Sequence, residues 1–333
     1  ETAMGFPRAP VGTGPYRLAE WNVGQSIRLE RRDDYWGEAP EVSAATYVFR
    51  SEPSVRAAMV QTGEAHIAPS ISALEATNAA TDFSYPNSET TYLRIDQMTA
   101  PFGDVRVRQA MNMAIDREAF IGTILPEGSI PAVAMVPPTT LGWNGDLTPA
   151  AYDPDGARAL LAEAAADGVP VDTEFMVIGR IGNFPGATEV YEAITAMLTD
   201  VGLNARLQMV EVAEHEQFYS RPYVEGTPYV IGAQHDNSRG DPVFSMYFKY
   251  HSEGRQSGVY DARVDDLIDR ATAATDDARA ALWSELFALL HDEIVSDVLL
   301  FHMVGFARVS EAVDFTPTIA TNSSLQLSEI GLK

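Results

Sequence analysis

The order in which strand-like and helix-like hydrophobic patterns follow one another constrains the fold of this chain more than any other feature of its sequence. Residues 16–52 alternate apolar and polar side chains, residues 97–294 mix helical spacing with short apolar runs, and residues 296–310 are strand-like again. Apolar periods of two and of 3.6 predict strands and helices, respectively. The order therefore predicts an α/β protein in which the chain leaves one lobe, builds a second and returns, with crossovers at 90–96 and 298–307.

Capping residues mark where the predicted helices begin and end. Pro53 begins a helix that Gly63 ends, and Asp104 is the predicted N-cap of an amphipathic helix whose apolar side chains recur as far as Ile121. Proline is favoured at the first helical position, and an aspartate side chain accepts hydrogen bonds from the first backbone N–H groups. Residues 174–210 have the pattern of strand, helix and strand, which predicts one right-handed β-α-β unit.

The balance of charge argues against nucleic acid and membrane surfaces as partners. The 333 residues include 47 acidic and 23 basic side chains, a formal net charge of −24. A surface of this sign repels phosphate backbones and anionic lipid headgroups. The sequence contains no cysteine, which excludes disulfides, thiolate nucleophiles and cysteine metal sites. No apolar run approaches the ~18 residues of a membrane span, and no signal peptide is visible in the sequence.

The polar run "HDNSRGDPVF", residues 235–244, is the strongest candidate for a functional loop. It follows a predicted strand directly, and small ligands bind beyond the carboxyl ends of strands in α/β sheets. Aspartate, asparagine and serine side chains offer hydrogen-bond acceptors, and arginine offers a bidentate donor for a carboxylate. Ligand contacts are therefore predicted for His235, Asp236, Asn237, Ser238 and Arg239.

Other interpretations of this run stay open. A serine triad would need Ser238 beside a histidine base, but residues three apart in a loop rarely converge, and no G-x-S-x-G turn surrounds this serine. Residues 239–241 also spell the adhesion tripeptide Arg-Gly-Asp, a match that often arises by chance. A solvated loop is the alternative for the whole run, and Asp241 is expected only to cap the helix that begins at Pro242.

Two other segments are expected to contribute to the same cleft. The stretch "GRIGNF", residues 179–184, leaves a predicted strand and precedes a helix, so Arg180 and Asn183 are candidates to join the 236–239 loop. A surface salt bridge is the alternative for Arg180. Trp143 is a candidate to stack on a sugar ring or a peptide side chain, with a place in the core as its alternative.

The sequence carries no signature of a catalytic centre, a metal site or a cofactor. The histidines lack the H-E-x-x-H spacing or another paired-ligand spacing, and "GTGPY" lacks the Lys-Ser/Thr of a phosphate loop. We therefore predict no catalytic residue, no metal ligand and no cofactor. The chain is interpreted as a binding protein, and the alternative is an α/β hydrolase that acts on a small polar substrate in the same cleft.

Four stretches of the chain form a recognisable set in this order. They are "GTGPYRLAEW" with "IRLERRDDYWGEAP", then "PFGDVRVRQAMNMAIDREAF", "AYDPDGARALLAEA" and "VYDARVDDLIDRATAATDDARAALWSELFALLHDEI". Together they resemble the bacterial extracellular solute-binding proteins of family 5, the peptide/nickel-type receptors of ABC importers. The resemblance covers nearly the whole chain.

The resemblance implies a two-lobed, periplasmic-binding-protein-like fold of type II, cluster C, whose lobes close on a ligand by hinge motion. Residues 1–95 with 305–333 are expected to form lobe I, and residues 96–304 lobe II. Family members have a long stretch before "GTGPY", whereas eleven residues precede it here. Lobe I is therefore expected to be incomplete at its N-terminus.

The resemblance also implies a function. The expected role is an extracytoplasmic receptor, without enzymatic activity, that captures a small polar solute between the lobes, with a peptide or peptide-like compound favoured. Its expected partners are that ligand and the membrane permease subunits of an ABC importer, with no nucleic acid. The receptor is expected to be a monomer in the bacterial periplasm, or lipid-anchored outside the cell.

Peptide-binding members of this family place an aspartate shortly before the "DP" of the loop, where it pairs with the α-amino group of the peptide. Counting back from Asp241, this position falls on Ser238 or Asn237 in this sequence. Asp236 takes the position if the loop is one or two residues longer. The loop therefore departs from the peptide-binding pattern.

Overall fold

The structure, a computed structural model, describes residues 10–322 and 325–333. Helices and strands alternate along the chain, which confirms the predicted α/β class. The strands are β1 (Tyr16–Asn22), β2 (Ser26–Arg31), β3 (Ala44–Val48), β4 (Ile67–Ala68), β5 (Asp82–Arg94), β6 (Ile130–Pro131), β7 (Phe175–Arg180), β8 (Ala205–Val210), β9 (Tyr229–Asp236), β10 (Asp297–Val309), β11 (Val313–Asp314) and β12 (Gly331–Leu332). The α-helices are α1 (Pro53–Gln61), α2 (Val105–Met113), α3 (Pro154–Ala166), α4 (Ala187–Asp200), α5 (Val212–Tyr219), α6 (Val243–Tyr250), α7 (Ala262–Ala273) and α8 (Asp276–Ala288).

The chain divides into two compact units. The first unit runs to Asn87 and resumes at Gly305, and the second is Ser88–Val304. Each boundary falls inside a long strand, because β5 contains Asn87 and Ser88, and β10 contains Val304 and Gly305. The chain therefore passes between the units twice, in both cases as extended backbone.

In the first unit, β1, β2 and β3 form an antiparallel meander. Tyr16 is opposite Arg31 across β1 and β2, and Ser26 is opposite Val48 across β2 and β3. Gly24, with φ of +73°, lies in the turn between β1 and β2, where a residue without a Cβ adopts the left-handed conformation readily. The predicted hairpin is confirmed.

Two apolar clusters fill the first unit. In one, α1 packs Ala57 and Val60 against Ala68 and Ile71. The helix begins at Pro53, as predicted. The other cluster consists of Val42, Val309, Val313, Phe315, Leu327 and Ile330.

A buried ion pair joins β5 to β10 inside the first unit. Arg308 donates from Nε to Asp82 Oδ1 at 2.6 Å and from Nη2 to Asp82 Oδ2 at 2.7 Å, and the Asp82 side chain is 2% exposed. The guanidinium also donates to the carbonyl oxygens of Ala57 and Glu75. Burial acts to raise the pKa of Asp82, but the hydrogen bonds and the charge of Arg308 hold that pKa below its usual value.

In the second unit, β10, β5, β9, β7 and β8 are hydrogen-bonded in that order. The strands β5 and β9 are antiparallel, from Glu89 opposite Asp236 to Arg94 opposite Ile231. The strands β9, β7 and β8 are parallel, and α4 connects β7 to β8. The predicted strand–helix–strand unit is thus present, and β9 lies near the middle of the sheet.

Alternating side chains of this sheet enter two different cores. Leu93 and Val230 belong to a cluster on one face, which also contains side chains of α2, α3 and α4. Tyr92 and Ala233 belong to a cluster on the other face, which contains side chains of α6, α7 and α8. A strand that is buried on both faces has little polar surface, and the burial pattern of β9 fits this arrangement.

The helix that was predicted to extend to Ile121 is shorter: α2 ends at Met113. Asp104 caps it as predicted, with its side chain accepting from the Arg106 N–H at 2.8 Å. Beyond the helix, Arg117 donates to the carbonyl oxygens of Asn112 at 3.0 Å and Ile115 at 3.4 Å. These are acceptors that a continuing helix would use for its own N–H groups.

Asp82→Asn is expected to destabilise the protein by about 3 kcal/mol, because the buried Arg308 guanidinium would lose its counter-charge. Glu30→Gln is the matched control, since Glu30 pairs with the exposed side chains of Arg17 and Arg28 and should contribute less than about 1 kcal/mol. Urea unfolding of the two variants measures the difference. Equal free energies of unfolding would show that the prediction is wrong.

Candidate functional site

Asn237 anchors the loop 236–241, which begins where β9 ends. Its backbone N–H donates to the Ser88 carbonyl at 2.9 Å, and its side-chain amide donates to the carbonyls of Ser88 at 3.2 Å and Met135 at 3.1 Å. Asn237 is 6% exposed. The amide nitrogen therefore holds the loop against two neighbouring segments of the second unit.

Asp236 is the exposed carboxylate of the loop. Its Oδ1 accepts from the Ser238 N–H at 2.9 Å and from the Ser88 hydroxyl, and its Oδ2 accepts from the Ser238 hydroxyl at 2.9 Å. Among the described residues these partners are hydroxyls and one amide, so the carboxylate charge is not neutralised by an arginine or a lysine. The donors hold the carboxylate in one orientation, and such preorganisation reduces the entropy cost of binding a cationic group.

Arg239 and Asp241 have different roles in the loop. Arg239 is exposed, and its guanidinium lies 4.6 Å from the ring centroid of Phe244 at the start of α6. Asp241 Oδ1 accepts from the Val243 N–H at 2.9 Å, and the carboxylate accepts from Arg279 Nε at 2.9 Å and Nη2 at 3.0 Å. Asp241 was predicted to cap this helix; the N-cap of α6 is Pro242, and Asp241, one residue earlier, binds the first N–H of α6 and connects the helix to α8.

Arg180 lies at the end of β7, the neighbour of β9. Ile178 is opposite Ile231 in this parallel pair, so Arg180 is level with Ala233. Asp236 lies three residues farther along β9, which corresponds to about 10 Å. Arg180 forms no ion pair with an acidic side chain of the described part of the chain. An offset of three residues places the side chains of Arg180 and Asp236 on opposite faces of the sheet, because successive side chains of a strand alternate between faces.

Asn183 supports the tight packing of α4 on the sheet. It is 8% exposed, and its side-chain amide donates to the Tyr191 hydroxyl at 3.1 Å. The Tyr191 ring lies over Gly179 and Gly232, where an added Cβ would approach ring atoms to 2.7 Å and 2.4 Å, respectively. The two glycines therefore make room for the tyrosine that binds Asn183.

His235 points into the interior of the second unit, opposite Thr90 of β5. It is 9% exposed, and its Nε2 has no hydrogen-bond partner within the described residues. The Thr90 hydroxyl bonds to His302 Nδ1 at 2.9 Å. Burial, together with the charge of Lys249, holds the pKa of His235 well below its usual value, and burial lowers the pKa of His302 to about 4. Both imidazoles are neutral at pH 7.

Trp143 is half-buried and packs against His302. Its ring is edge-on to His302, with the ring centroids 5.6 Å apart. Two residues earlier, the Leu141 N–H donates to the Gly240 carbonyl at 2.9 Å. The segment that carries Trp143 is therefore attached to the loop, while its ring packs on an interior side chain.

The structure separates the predicted ligand contacts into two groups. Asp236 and Arg239 are exposed and Ser238 is half-buried, so these three side chains are accessible from solvent at the loop. The others are buried or engaged in packing, apart from Arg180, which is half-buried at the neighbouring strand end. A ligand contact by any of them stays a prediction.

Ser88, which binds both Asp236 and Asn237, was not predicted from the sequence. Ser88 lies two residues before the strand predicted at 90–96, and β5 begins earlier, at Asp82. Lys249 was not predicted either; it is 8% exposed and donates to the hydroxyls of Tyr92 at 2.8 Å and Tyr219 at 2.6 Å. The sequence feature that could have indicated this buried lysine is its position within the aromatic run 247–250.

In residues 10–322 and 325–333, no three histidine or acidic side chains are grouped in a way that would hold a metal ion. The described helices include none with the length and apolar character needed to cross a membrane.

Solved structures define the class of protein to which this fold belongs. CtaP, an ABC transporter substrate-binding protein from Listeria monocytogenes, matches with a TM-score of 0.82 and 17% identity over 98% of this chain and 68% of that chain. The periplasmic binding protein DppA from Helicobacter pylori, solved with the peptide STSA, matches with a TM-score of 0.76 and 21% identity over 98% and 64%. The fold is that of the ABC transporter substrate-binding proteins.

Sequence comparison assigns the family. The dipeptide-binding protein of Escherichia coli K12 is 28% identical over 317 residues, which is 91% of this chain and 58% of that protein. The glutathione-binding protein GsiB of Salmonella paratyphi A is 31% identical over 211 residues, 62% of this chain and 40% of that protein. Residues 1–257 match "Bacterial extracellular solute-binding proteins, family 5 Middle". The chain belongs to this family, and it spans little more than half the length of the dipeptide-binding relative.

His302→Gln is expected to reduce the loss of stability in acid. The unfolded histidine takes up a proton near pH 6.5 and the folded one near pH 4. The stability contributed by the neutral imidazole is thus full above pH 6.5 and declines as the pH falls, by roughly 3 kcal/mol over this window. Urea unfolding at about pH 7.5 and about pH 4.5 measures the difference. The exposed His66→Gln control should behave as the wild type, and an unchanged difference in His302→Gln would contradict the expectation.

Gly232→Ala is expected to destabilise the second unit by about 1–3 kcal/mol, because the new methyl group would overlap the fully buried Tyr191 ring. Gly145→Ala is the control, since its Cβ would meet nothing closer than 3.8 Å. Thermal unfolding compares the two variants. A Gly232→Ala protein with the midpoint of the control would show that the ring is free to move aside.

Proposed function

We propose that this chain is the solute-binding component of an ABC importer and that it captures a small polar solute at the loop 236–239, with peptides and peptide-like compounds as the favoured class. The observation that carries the proposal is the Asp236 carboxylate, which is exposed, oriented by Ser88 and Ser238, and free of a basic partner among the described residues. A carboxylate of this kind binds a protonated α-amino group by charge-assisted hydrogen bonds.

The length of the loop supports Asp236 as the amine-binding residue. Counting back from Asp241 put this role on Ser238 or Asn237. Asn237 uses its amide nitrogen to anchor the loop, and Ser238 donates its hydroxyl to Asp236. Asp236 is thus the acidic group that the loop exposes to solvent. It takes the amine-binding position if this loop is one or two residues longer than the loop of the peptide-binding family members.

Two arginines supply the complementary charge. Arg239 is exposed three residues after Asp236, and the backbone of Arg180 lies about 10 Å from that of Asp236 along the sheet. A zwitterionic solute with an amine at Asp236 and a carboxylate directed towards an arginine would satisfy both ends. This arrangement favours a short peptide over a neutral sugar, because a sugar offers no charge to either group.

The names of the relatives support a peptide-like solute without selecting one. Relatives of this chain include proteins named for dipeptide, glutathione and heme binding. A solved neighbour, NikA from Brucella suis, matches with a TM-score of 0.77 and 24% identity and carries Fe(III)-EDTA. Peptides and glutathione share an amine and carboxylates, which are the groups that this loop is suited to bind.

Partners and location follow from the same proposal. The permease subunits of an ABC importer would receive the solute, and the receptor would work as a monomer in the periplasm or anchored outside the cell. Capture by closure of two lobes, formed by residues 1–95 with 305–333 and by residues 96–304, stays a prediction.

The hydrogen bonds of the loop disfavour the hydrolase alternative. A serine nucleophile needs a histidine that accepts its proton, but the Ser238 hydroxyl donates to Asp236, and His235 is buried with its Nε2 inside the second unit. We therefore propose binding without turnover. A solute recovered unchanged after prolonged incubation with the protein supports this, and a cleaved solute would refute it.

Asp236→Asn is expected to weaken the binding of peptides with a free α-amine by about ten- to a hundredfold, because an amide cannot neutralise the ammonium charge. Isothermal titration calorimetry with a panel of di- to pentapeptides and their N-acetylated forms measures the effect. The control is Asp155→Asn, which removes a carboxylate that is 93% exposed on α3, and it should bind as the wild type. Wild-type affinity in Asp236→Asn, or equal affinity for acetylated peptides, would overturn the assignment.

A further inference from the structure

The second unit contains a cavity of about 410 Å³ that includes none of the predicted ligand-contact residues. This volume lies within the range of small-molecule sites. The wall is largely apolar, with contributions from α2, α3, α8 and the first residues of β10. The apolar side chains that matter for the argument are Met113, Leu160, Phe287, Leu290 and Leu299.

Asp297, the first residue of β10, brings a carboxylate to this cavity. It is 5% exposed, and its Oδ2 accepts from the Tyr250 hydroxyl at 2.7 Å and the Ser296 hydroxyl at 2.9 Å. Its Oδ1 accepts no hydrogen bond from the described residues. Burial raises the pKa of Asp297, although the two hydroxyl donors and the charges of Lys249 and Arg94 act to lower it. One oxygen of a desolvated carboxylate is thus left for a donor that the protein does not supply.

Arg117, the arginine in the cavity wall, already has hydrogen-bond partners within the protein. Arg117 donates to the Leu299 carbonyl at 2.7 Å, the Asn112 carbonyl at 3.0 Å and the Asn112 Oδ1 at 2.9 Å. Asn112 in turn donates to the carbonyls of Arg108 and Asp297. The guanidinium therefore organises backbone carbonyls and does not bind the Asp297 carboxylate.

The wall of the cavity contains more carboxylates than arginine and lysine side chains. Asp297 and Asp292 line the cavity together with one arginine, Arg117. Asp292 is 60% exposed and contacts His291 Nδ1 at 2.6 Å. An anionic ligand would meet two carboxylates here, whereas a cation would be attracted by both.

An unusual turn precedes Asp297 in the chain and lies between α8 and β10. The last turn after α8, Leu289–Ile294, is π-helical, and Val295 follows in the left-handed region with φ of +49°. This conformation is strained for a β-branched residue, and π-helical turns are frequent at functional sites. Arg108 holds the turn by donating to the carbonyls of Ile294 at 2.7 Å and Val295 at 3.0 Å.

We propose that this cavity is a second binding site, which takes a small amphipathic primary amine. The ammonium group donates to Asp297 Oδ1, and the apolar chain packs on Met113, Leu160, Phe287, Leu290 and Leu299. This site is independent of the solute site proposed at the loop 236–239, because it uses a different carboxylate and a different wall.

Hexylammonium is the probe, with hexanol and hexanoate as matched neutral and anionic probes. Calorimetric titration of the whole chain at pH 7 is expected to show that hexylammonium binds at least about tenfold more tightly than either analogue, since charge-assisted hydrogen bonds are the stronger ones. Spectra of protein with ¹³C-labelled methionine methyl groups should show a shift of the Met113 signal. Equal binding of the three probes, or an unchanged Met113 signal at saturation, would overturn the proposal.

Asp297→Asn tests the role of the carboxylate. The asparagine keeps an oxygen that accepts from Tyr250 and Ser296 and replaces the open oxygen with an amide nitrogen, so the variant is expected to fold and to lose at least about tenfold in hexylammonium affinity. Asp155→Asn is the matched control, because it removes a carboxylate that is 93% exposed on α3, and it should bind hexylammonium as the wild type does. Loss of affinity in Asp236→Asn instead would place the amine at the solute loop and refute the second site.

Leu160→Phe tests the cavity without changing its charge. The larger ring fills part of the space, so hexylammonium is expected to bind more weakly while circular dichroism and the unfolding midpoint stay close to those of the wild type. This variant keeps the proposal testable if Asp297→Asn does not fold. Wild-type affinity in a folded Leu160→Phe protein would show that the amine binds elsewhere.

Discussion

The antiparallel pairing of β5 with β9 is the interaction on which the candidate site depends. Glu89 opposite Asp236 and Thr90 opposite His235 are consecutive pairs of this ladder. The ladder brings Ser88 beside the loop, where it binds Asp236 and Asn237. A slip of one residue would exchange the two faces of the strand. It would expose His235 and remove the donors that orient the Asp236 carboxylate.

The interior of the second unit shows how an acidic protein uses its few basic side chains. Arg108 and Arg117 are buried, and each donates to several backbone carbonyls where helices and strands end. Lys249 is held by two tyrosine hydroxyls. Buried carbonyl groups must be hydrogen-bonded, so these cations stabilise irregular backbone. The formal net charge of −24 includes these buried groups, and the buried cations and the carboxylate of Asp297 form an electrostatic environment separate from that of the surface.

The sequence predicted strongly periodic elements and their caps well. The hairpin, α1, the Asp104 cap and the strand–helix–strand unit around α4 all follow from local patterns. The end of α2 does not follow from a local pattern, because the Arg117 side chain donates hydrogen bonds to backbone carbonyls that a longer helix would use. Within the loop, the sequence located the polar residues but not the orientation of their side chains. Asn237 and His235 are buried, since donors and strand partners from distant segments position them.

By itself, the sequence determined the α/β class, the family and the loop in which polar groups are concentrated, because these depend on periodicity, composition and motifs that neighbouring residues carry. Tertiary structure decided which groups of that loop are accessible and which are structural. It also decided that Asp297 lines a cavity and accepts a hydrogen bond from Tyr250. The physical reason is that the burial of a polar group and the partners it finds depend on segments far apart in the chain, here on Ser88 beside residue 236 and on Tyr250 beside residue 297.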